Sequence, residues 1–185
     1  ISCNLKMEET QQWFVMRDLC RGLANQYTYE KLASQGFETF APTVARRKTV
    51  RGKIVIVKRP YIRDLFFIHS TFSELQSAMT PGCRFQFRYR LGVSPPAPIV
   101  VPTKVMENFI RVVTESESPE YISSESIPRD VRNRLIRVVG GPLDGVEGML
   151  KTIRGSKYKS LYVELPGIMA ISTVSQFDYI QLLDK

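Results

Sequence analysis

The stretch RVVGGPLDGVEGMLKTI (residues 137–153) decides how this chain is read. It joins two runs of strand-forming residues, 135–139 and 148–153, through a segment holding Gly140, Gly141, Pro142 and Gly145, with Gly148 opening the second run. Gly140, Gly141 and Pro142 end one strand. Gly145 and Gly148 are expected to supply the left-handed or bulged backbone that a short loop needs to re-enter a sheet. Further along, residues 161–165, 168–174 and 177–183 are also β-rich, with turn signals at Gly155-Ser156-Lys157 and Pro166-Gly167. Five short strands separated by turns predict a small all-β barrel over residues 131–185.

Upstream of this module the composition changes in kind. Residues 114–130, TESESPEYISSESIPRD, hold five acids, one base and few large apolar side chains. Such a segment reads as a solvated linker, because it has little apolar surface to offset the entropy of ordering. The flanking regions are basic: residues 1–113 carry 17 Lys or Arg against 8 Asp or Glu, and residues 131–185 carry 8 against 5. Two basic modules, 8–113 and 131–185, are therefore expected on either side of an acidic connector.

The first module mixes strands with helices. WFVMRDL (residues 13–19) suits a buried strand. In residues 20–35 the apolar Leu23, Ala24, Tyr27, Leu32 and Ala33 recur at roughly helical spacing, and Gly36 stands where a helix stop is expected. Residues 37–41 read as a second strand ended by Pro42. KIVIVKRPYIRDLFFIHS (residues 53–70) holds two β-rich runs interrupted by Pro60, and 73–79 reads as a short helix with Ser73 as its N-cap. RFQFRY (residues 84–89) alternates in the manner of a half-exposed strand, and Thr103 is expected to cap a helix with Val105, Met106, Phe109, Ile110 and Val113 on a related face. An α+β module follows from this order.

Charge is concentrated in one place. Arg46, Arg47, Lys48, Arg51, Lys53, Lys58, Arg59 and Arg63 fall in a window without a single acid, and the part around Gly52 reads as an exposed loop or hairpin. Such a loop can follow phosphates, which makes Arg46, Arg47, Lys48, Arg51 and Lys53 candidate nucleic-acid-binding residues. The plainer reading is a solvated charged face. Catalysis finds no support: His69 is the only histidine, no Cys or His cluster has metal-ligand spacing, and neither GxxxxGKS nor GxSxG occurs. Asp18, Asp64 and Glu107 read as surface contacts or caps, and no catalytic residue, metal or cofactor is expected. Cys3, Cys20 and Cys83 are scattered and odd in number, which suits reduced thiols. No apolar run approaches the roughly 18 residues of a membrane span. ISCNLKMEETQQ lacks the apolar centre of a signal peptide, so a cytoplasmic location is expected, with Met7 a candidate natural start after Ile1 to Lys6.

Taken together these pieces resemble a known family. LIRVVGGPLDGVEGMLKTI (residues 135–153) resembles the KOW motif of NusG-type transcription factors and some ribosomal proteins. WFVMRDLCRG (13–22), GFETFAPTVARRK (36–48), KRPYIRDLFFIHS (58–70) and PIVVPTKVMENFIRVV (98–113) come in the order seen in the NusG N-terminal, or NGN, domain. The chain is most similar to the specialised UpxY paralogues, antiterminators of capsular polysaccharide operons in Bacteroides-type bacteria.

The resemblance implies an α+β NGN-type domain plus an all-β KOW domain of the small SH3-like barrel kind. It also implies a monomeric, non-enzymatic elongation and antitermination factor that binds the clamp helices on the largest catalytic subunit of RNA polymerase. The family's contact strand usually reads FPGYLFV or FPNYLFV, and IRDLFFI stands in its place here. Matching its terminal Phe-Val to Phe67-Ile68 puts Leu65 and Phe67 on one face, with Phe66 and Ile68 on the other. Leu65 and Phe67, with Tyr61 nearby, are thereby assigned to polymerase contact, the alternative being ordinary core. The basic window is implied to lie against upstream-fork or non-template DNA, with nascent RNA as a further ligand. Family KOW loops bind a small-subunit ribosomal protein or Rho, and Pro142, Leu143, Val146, Ile168 and Met169 are the candidate patch here, unless they only close the barrel. Asn133-Arg134 replaces the Gly-Asp or Gly-Glu that often opens the motif, which leaves the KOW partner open. A housekeeping NusG-type factor and a KOW-type RNA-binding or ribosome-associated protein remain alternative readings.

Overall fold

A computed structural model describes residues 10–20, 27–92, 94–116, 119–131, 134–177 and 179–183. Met7, Cys3, Leu23, Ala24 and Asn133, all used in reading the sequence, lie outside the described residues. The chain divides into two compact units, Ile1–Val101 and Pro102–Lys185. No helix among the described residues is long and apolar enough to cross a membrane.

The first unit contains β1 (Gln12–Asp18), α1 (Thr28–Ser34), β2 (Glu38–Phe40), β3 (Thr43–Val50), β4 (Lys53–Pro60), β5 (Leu65–Ser70), α2 (Phe72–Ala78), β6 (Phe85–Phe87) and β7 (Val100–Val101). Its main sheet runs β2-β5-β1-β6, and β7 also pairs with β1. All of these pairings are antiparallel. Alternate residues divide cleanly between the faces. Phe14 and Met16 of β1, Phe66 and Ile68 of β5, and Phe85 and Phe87 of β6 join Leu32 of α1 and Leu75 of α2 in one core. On the opposite face Trp13, Val15, Leu65, Phe67 and Val101 are buried as well. Four consecutive large apolar residues, Leu65 to Ile68, are what a strand covered on both faces requires.

Both short helices are fixed by side-chain caps. Asp18 at the end of β1 accepts from the Thr28 amide at 3.2 Å and the Thr28 hydroxyl at 2.7 Å, which makes it a buried structural carboxylate. For α2 the cap is Thr71, not the expected Ser73. Its Oγ1 accepts from the Glu74 amide at 3.2 Å, while Glu74 Oε2 accepts from the Thr71 amide at 3.1 Å, a reciprocal capping box. The Ser70 hydroxyl adds a third bond to Glu74 at 2.6 Å, and these bonds hold its carboxyl below the usual carboxylate range.

The second unit contains α3 (Thr103–Glu115), β8 (Glu120–Ile122), two 3-10 turns (Ser124–Ser126 and Arg129–Val131), β9 (Leu135–Val139), β10 (Glu147–Thr152), β11 (Lys159–Leu165), β12 (Met169–Ser175) and β13 (Tyr179–Leu182). The sheet order is β13-β9-β10-β11-β12-β8, antiparallel throughout. The five expected strands are all present. No pairing among the described residues joins β13 to β8, so the expected barrel appears here as a six-stranded sheet.

That sixth strand corrects the reading of residues 114–130 as a solvated linker. Tyr121 of β8 pairs with Ile171 of β12, and Ile127 and Val131 are buried with Met149 and Ala170 in a core cluster. Three apolar residues of this acidic, Ser-rich segment, Tyr121, Ile122 and Ile127, followed at once by Val131, are enough to anchor it to a sheet. Composition averaged over the segment hides them. The helix α3 likewise falls in the second unit and not the first, and its N-cap is Pro102, with Thr103 the first helical residue. Met106, Phe109 and Val112 are its buried stripe, and Phe109 stacks on Tyr121 with ring centroids 6.3 Å apart.

The glycine loop is held from both sides. Gly145 adopts φ +80° and donates its amide to Val138 O at 2.8 Å, while Asp144 Oδ1 accepts from the Gly140 amide at 2.6 Å. From α3, Arg111 donates to Pro142 O at 3.1 Å and Asp144 O at 2.6 Å. Gly148 plays a different part from the one expected. Its backbone is ordinary, but a Cβ there would stand 2.6 Å from Tyr162 O and 2.9 Å from Leu161 Cδ1 of the neighbouring strand. Close strand approach, not turn geometry, requires glycine at this position.

Candidate nucleic-acid interface

β3 and β4 pair with each other over their whole length, from Thr43↔Pro60 to Val50↔Lys53, and form a separate two-stranded sheet. At about 3.4 Å per residue, eight residues make a ribbon roughly 27 Å long. Its local causes are legible. Val44, Thr49, Val50, Ile54, Val55, Ile56 and Val57 are β-branched. The connection is the two-residue loop Arg51-Gly52, with φ +49° and +76°. Positive φ at both positions is the type I′ geometry whose twist matches a hairpin. Gly52 adopts it freely, whereas Arg51 does so at a cost of about 1–2 kcal/mol.

The register sorts the charges. Arg46 stands across from Val57, Arg47 from Ile56, Lys48 from Val55, Lys53 from Val50, Lys58 from Ala45 and Arg59 from Val44. Every strand cation thus has an aliphatic partner, over which its methylene stem can lie while the charge stays in water. All six, with Arg51 at the tip, are exposed. Residues 43–60 contain no acid, and none of the seven cations forms an ion pair among the described residues. By contrast, Arg17 and Arg88 of the same unit both reach Asp64, at 3.2 and 3.0 Å. Unpaired like charges about 7 Å apart repel by roughly 0.6 kcal/mol per pair in water, a cost that a polyanion relieves.

The structure therefore brings Arg46, Arg47, Lys48, Arg51 and Lys53 together on one element, and adds Lys58 and Arg59. The other sequence-derived sites are placed differently. Tyr61 is 39% exposed at the ribbon's base, its amide bonded to Pro42 O at 2.7 Å. Leu65 and Phe67 share a face as expected, but they are 2% and 0% exposed, and Phe67 packs on Phe40. An open hollow at these two positions is not what the structure shows, and their assignment to an external contact is corrected. In the second unit Leu143, Val146 and Met169 are buried, so the candidate patch loses three of its members. Only Pro142 and Ile168 keep appreciable exposure.

Sequence reasoning missed Ile54 and Ile56, which are 70% and 74% exposed. The IVIV run reads only as β-rich, without a side assigned to its apolar residues. The available signal was its position between cations in a window without acids.

Elsewhere the side chains are engaged structurally. His69 stacks on Trp13 at 5.1 Å and its Nδ1 lies 2.8 Å from Glu38. In the groove beside it the Ser70 hydroxyl donates to Glu74 and the Ser77 hydroxyl to Ser73 O. No group of three or more His, Cys, Asp or Glu among the described residues is placed to hold a metal ion.

No family model matches the chain. No curated protein matches it either. Among solved structures, one concerning domain interaction in Thermotoga maritima NusG is similar over 95% of this chain and 98% of that one, at 12% identity and a TM-score of 0.37. A likeness of that size carries no argument for fold or function.

Proposed function

We propose that this chain is a non-enzymatic transcription elongation factor of the NusG kind, which holds nucleic acid beside RNA polymerase through the β3–β4 ribbon. The observation that carries the proposal is that ribbon: seven exposed cations, no acid and no ion pair over residues 43–60. The order of the NGN-like and KOW-like stretches along the sequence supports the transcriptional setting. Cations that neutralise phosphates release condensed counterions, so the affinity falls steeply with salt, and the contact positions the protein without reading sequence.

The factor acts by differential binding. A protein that grips the elongating arrangement of polymerase and DNA more tightly than the paused one shifts the population toward elongation with no chemistry of its own. Association with the clamp helices of the largest catalytic subunit belongs to the same proposal. Leu65 and Phe67, being buried, are not assigned to it. The narrower reading is antitermination at a capsular polysaccharide operon. In that case the second unit fails to stimulate Rho, whereas a housekeeping factor stimulates it.

Retention of cellular components on the immobilised full chain, followed by single-round transcription with the purified polymerase, tests the proposal. Polymerase subunits should be retained and pauses shortened. Retention of ribosomal RNA without polymerase would replace it with the RNA-binding reading.

A further inference from the structure

The ribbon has two unlike faces, and the difference between them specifies a ligand. Partners across an antiparallel rung share a face. One face therefore carries Arg59, Arg46, Lys48 and Lys53 on four alternate rungs, across from Val44, Val57, Val55 and Val50. The other carries Lys58, then Arg47 across from Ile56, and nearest the tip Ile54 across from Thr49. These two isoleucines sit on neighbouring same-face rungs, about 7 Å apart. They are the most exposed aliphatic residues of the ribbon.

One face is cationic along its length and the other is aliphatic toward its tip, which matches a ligand with an anionic part and a part that accepts apolar contact. A duplex groove offers both, a floor of base edges between two phosphate walls. The major groove, about 12 Å wide and 8.5 Å deep, admits a two-stranded ribbon. With the isoleucine face on the groove floor, the opposite face stands near the level of the rim, where long Arg and Lys side chains reach phosphates. Exposed aliphatic side chains then find the one apolar group of the groove, the thymine methyl.

We infer that the β3–β4 ribbon enters the major groove of duplex DNA, with Ile54 and Ile56 on the base edges and Arg46, Lys48, Lys53 and Arg59 directed at the backbone. This rests on the nucleic-acid reading of the ribbon and names its ligand. The salt-dependent part of binding belongs to the cations, and a salt-independent part belongs to the isoleucines.

Fluorescence anisotropy of the full chain against a thymine-rich duplex of about 20 base pairs, roughly two helical turns, and against its separate strands, over a salt series, tests the inference. The duplex should bind more tightly than either strand. The I54T/I56T variant, which keeps the β-branched shape, should lose about tenfold in affinity with an unchanged salt slope. Replacing thymine by uracil in the duplex should weaken the unmodified protein, a readout that needs no variant, and should leave I54T/I56T unaffected. R46Q/K48Q/K53Q should instead lower the slope by up to about 2.7, at 0.9 per lost phosphate contact. Equal or tighter binding of single strands, or indifference to both the isoleucine and the thymine changes, overturns the groove while leaving the electrostatic reading intact. Absence of any salt-dependent binding to either form of DNA overturns both.

Discussion

The first unit contains two antiparallel strand pairs of similar apolar content and opposite fate. In β1 and β5, Trp13 to Met16 and Leu65 to Ile68 are buried without exception. In β3 and β4, Val50, Ile54, Val55 and Ile56 remain exposed although the pairing is longer and fully registered. The lesson is that strand pairing reports hydrogen bonding and turn geometry, whereas burial reports what packs against the faces. A ribbon that stays exposed through most of its length is held by its turn and by cross-strand pairs, and its side chains are left available to a ligand.

Four measurements bear on this contrast. The largest effect should come from Phe66→Ala, which empties a fully buried position and should cost about 3–5 kcal/mol, while Ile56→Ala on the ribbon should stay within about 0.5 kcal/mol. Equal losses in denaturant unfolding would show that the ribbon belongs to the core after all. Next in size is Gly148→Ala in the second unit, where the added methyl meets Tyr162 O. A loss of about 2–3 kcal/mol is expected, and a neutral result would mean that β10 and β11 separate easily.

A smaller effect, about 1 kcal/mol given the exposure of Lys104, attaches to Glu147. Hydrogen bonds from Lys104 on α3, and then from Arg137 on β9, hold its carboxyl below the usual carboxylate range. A depressed folded-state pKa contributes stability that is fully present above the unfolded value and lost as pH falls through the folded one. Glu147→Gln should therefore be less stable than the unmodified chain near neutral pH, and the two should converge on acidification below about pH 4. A gap that persists in acid would assign the effect to packing. The smallest effect is a gain: Arg51→Asn places at φ +49° a residue that tolerates left-handed backbone, and should raise stability by about 0.5–1 kcal/mol while removing one ribbon charge. A loss would show that the Arg51 side chain has a structural contact.

How much was legible divides along the same line. The five strands from β9 to β13, the hairpin around Gly52 and the opposed faces of Leu65-Phe67 and Phe66-Ile68 follow from period-two alternation and turn residues. The cationic window was equally plain, because a run without acids is visible wherever it folds. The β8 strand was not legible: Tyr121, Ile122 and Ile127 are sparse in a polar segment, and their partners Ile171 and Ala170 lie some 50 residues away in the sequence. Gly148 was misread for a related reason, since its constraint is Tyr162 O on another strand.

Local pairing and the sharing of faces follow from the amino-acid sequence alone, because hydrogen-bond periodicity and left-handed turns act over a few residues. Which faces are covered is settled in the folded chain, which buries Leu65, Phe67, Leu143 and Val146 and leaves Ile54 and Ile56 in water. Burial depends on surfaces brought together from distant parts of the chain, and no local pattern encodes what will arrive.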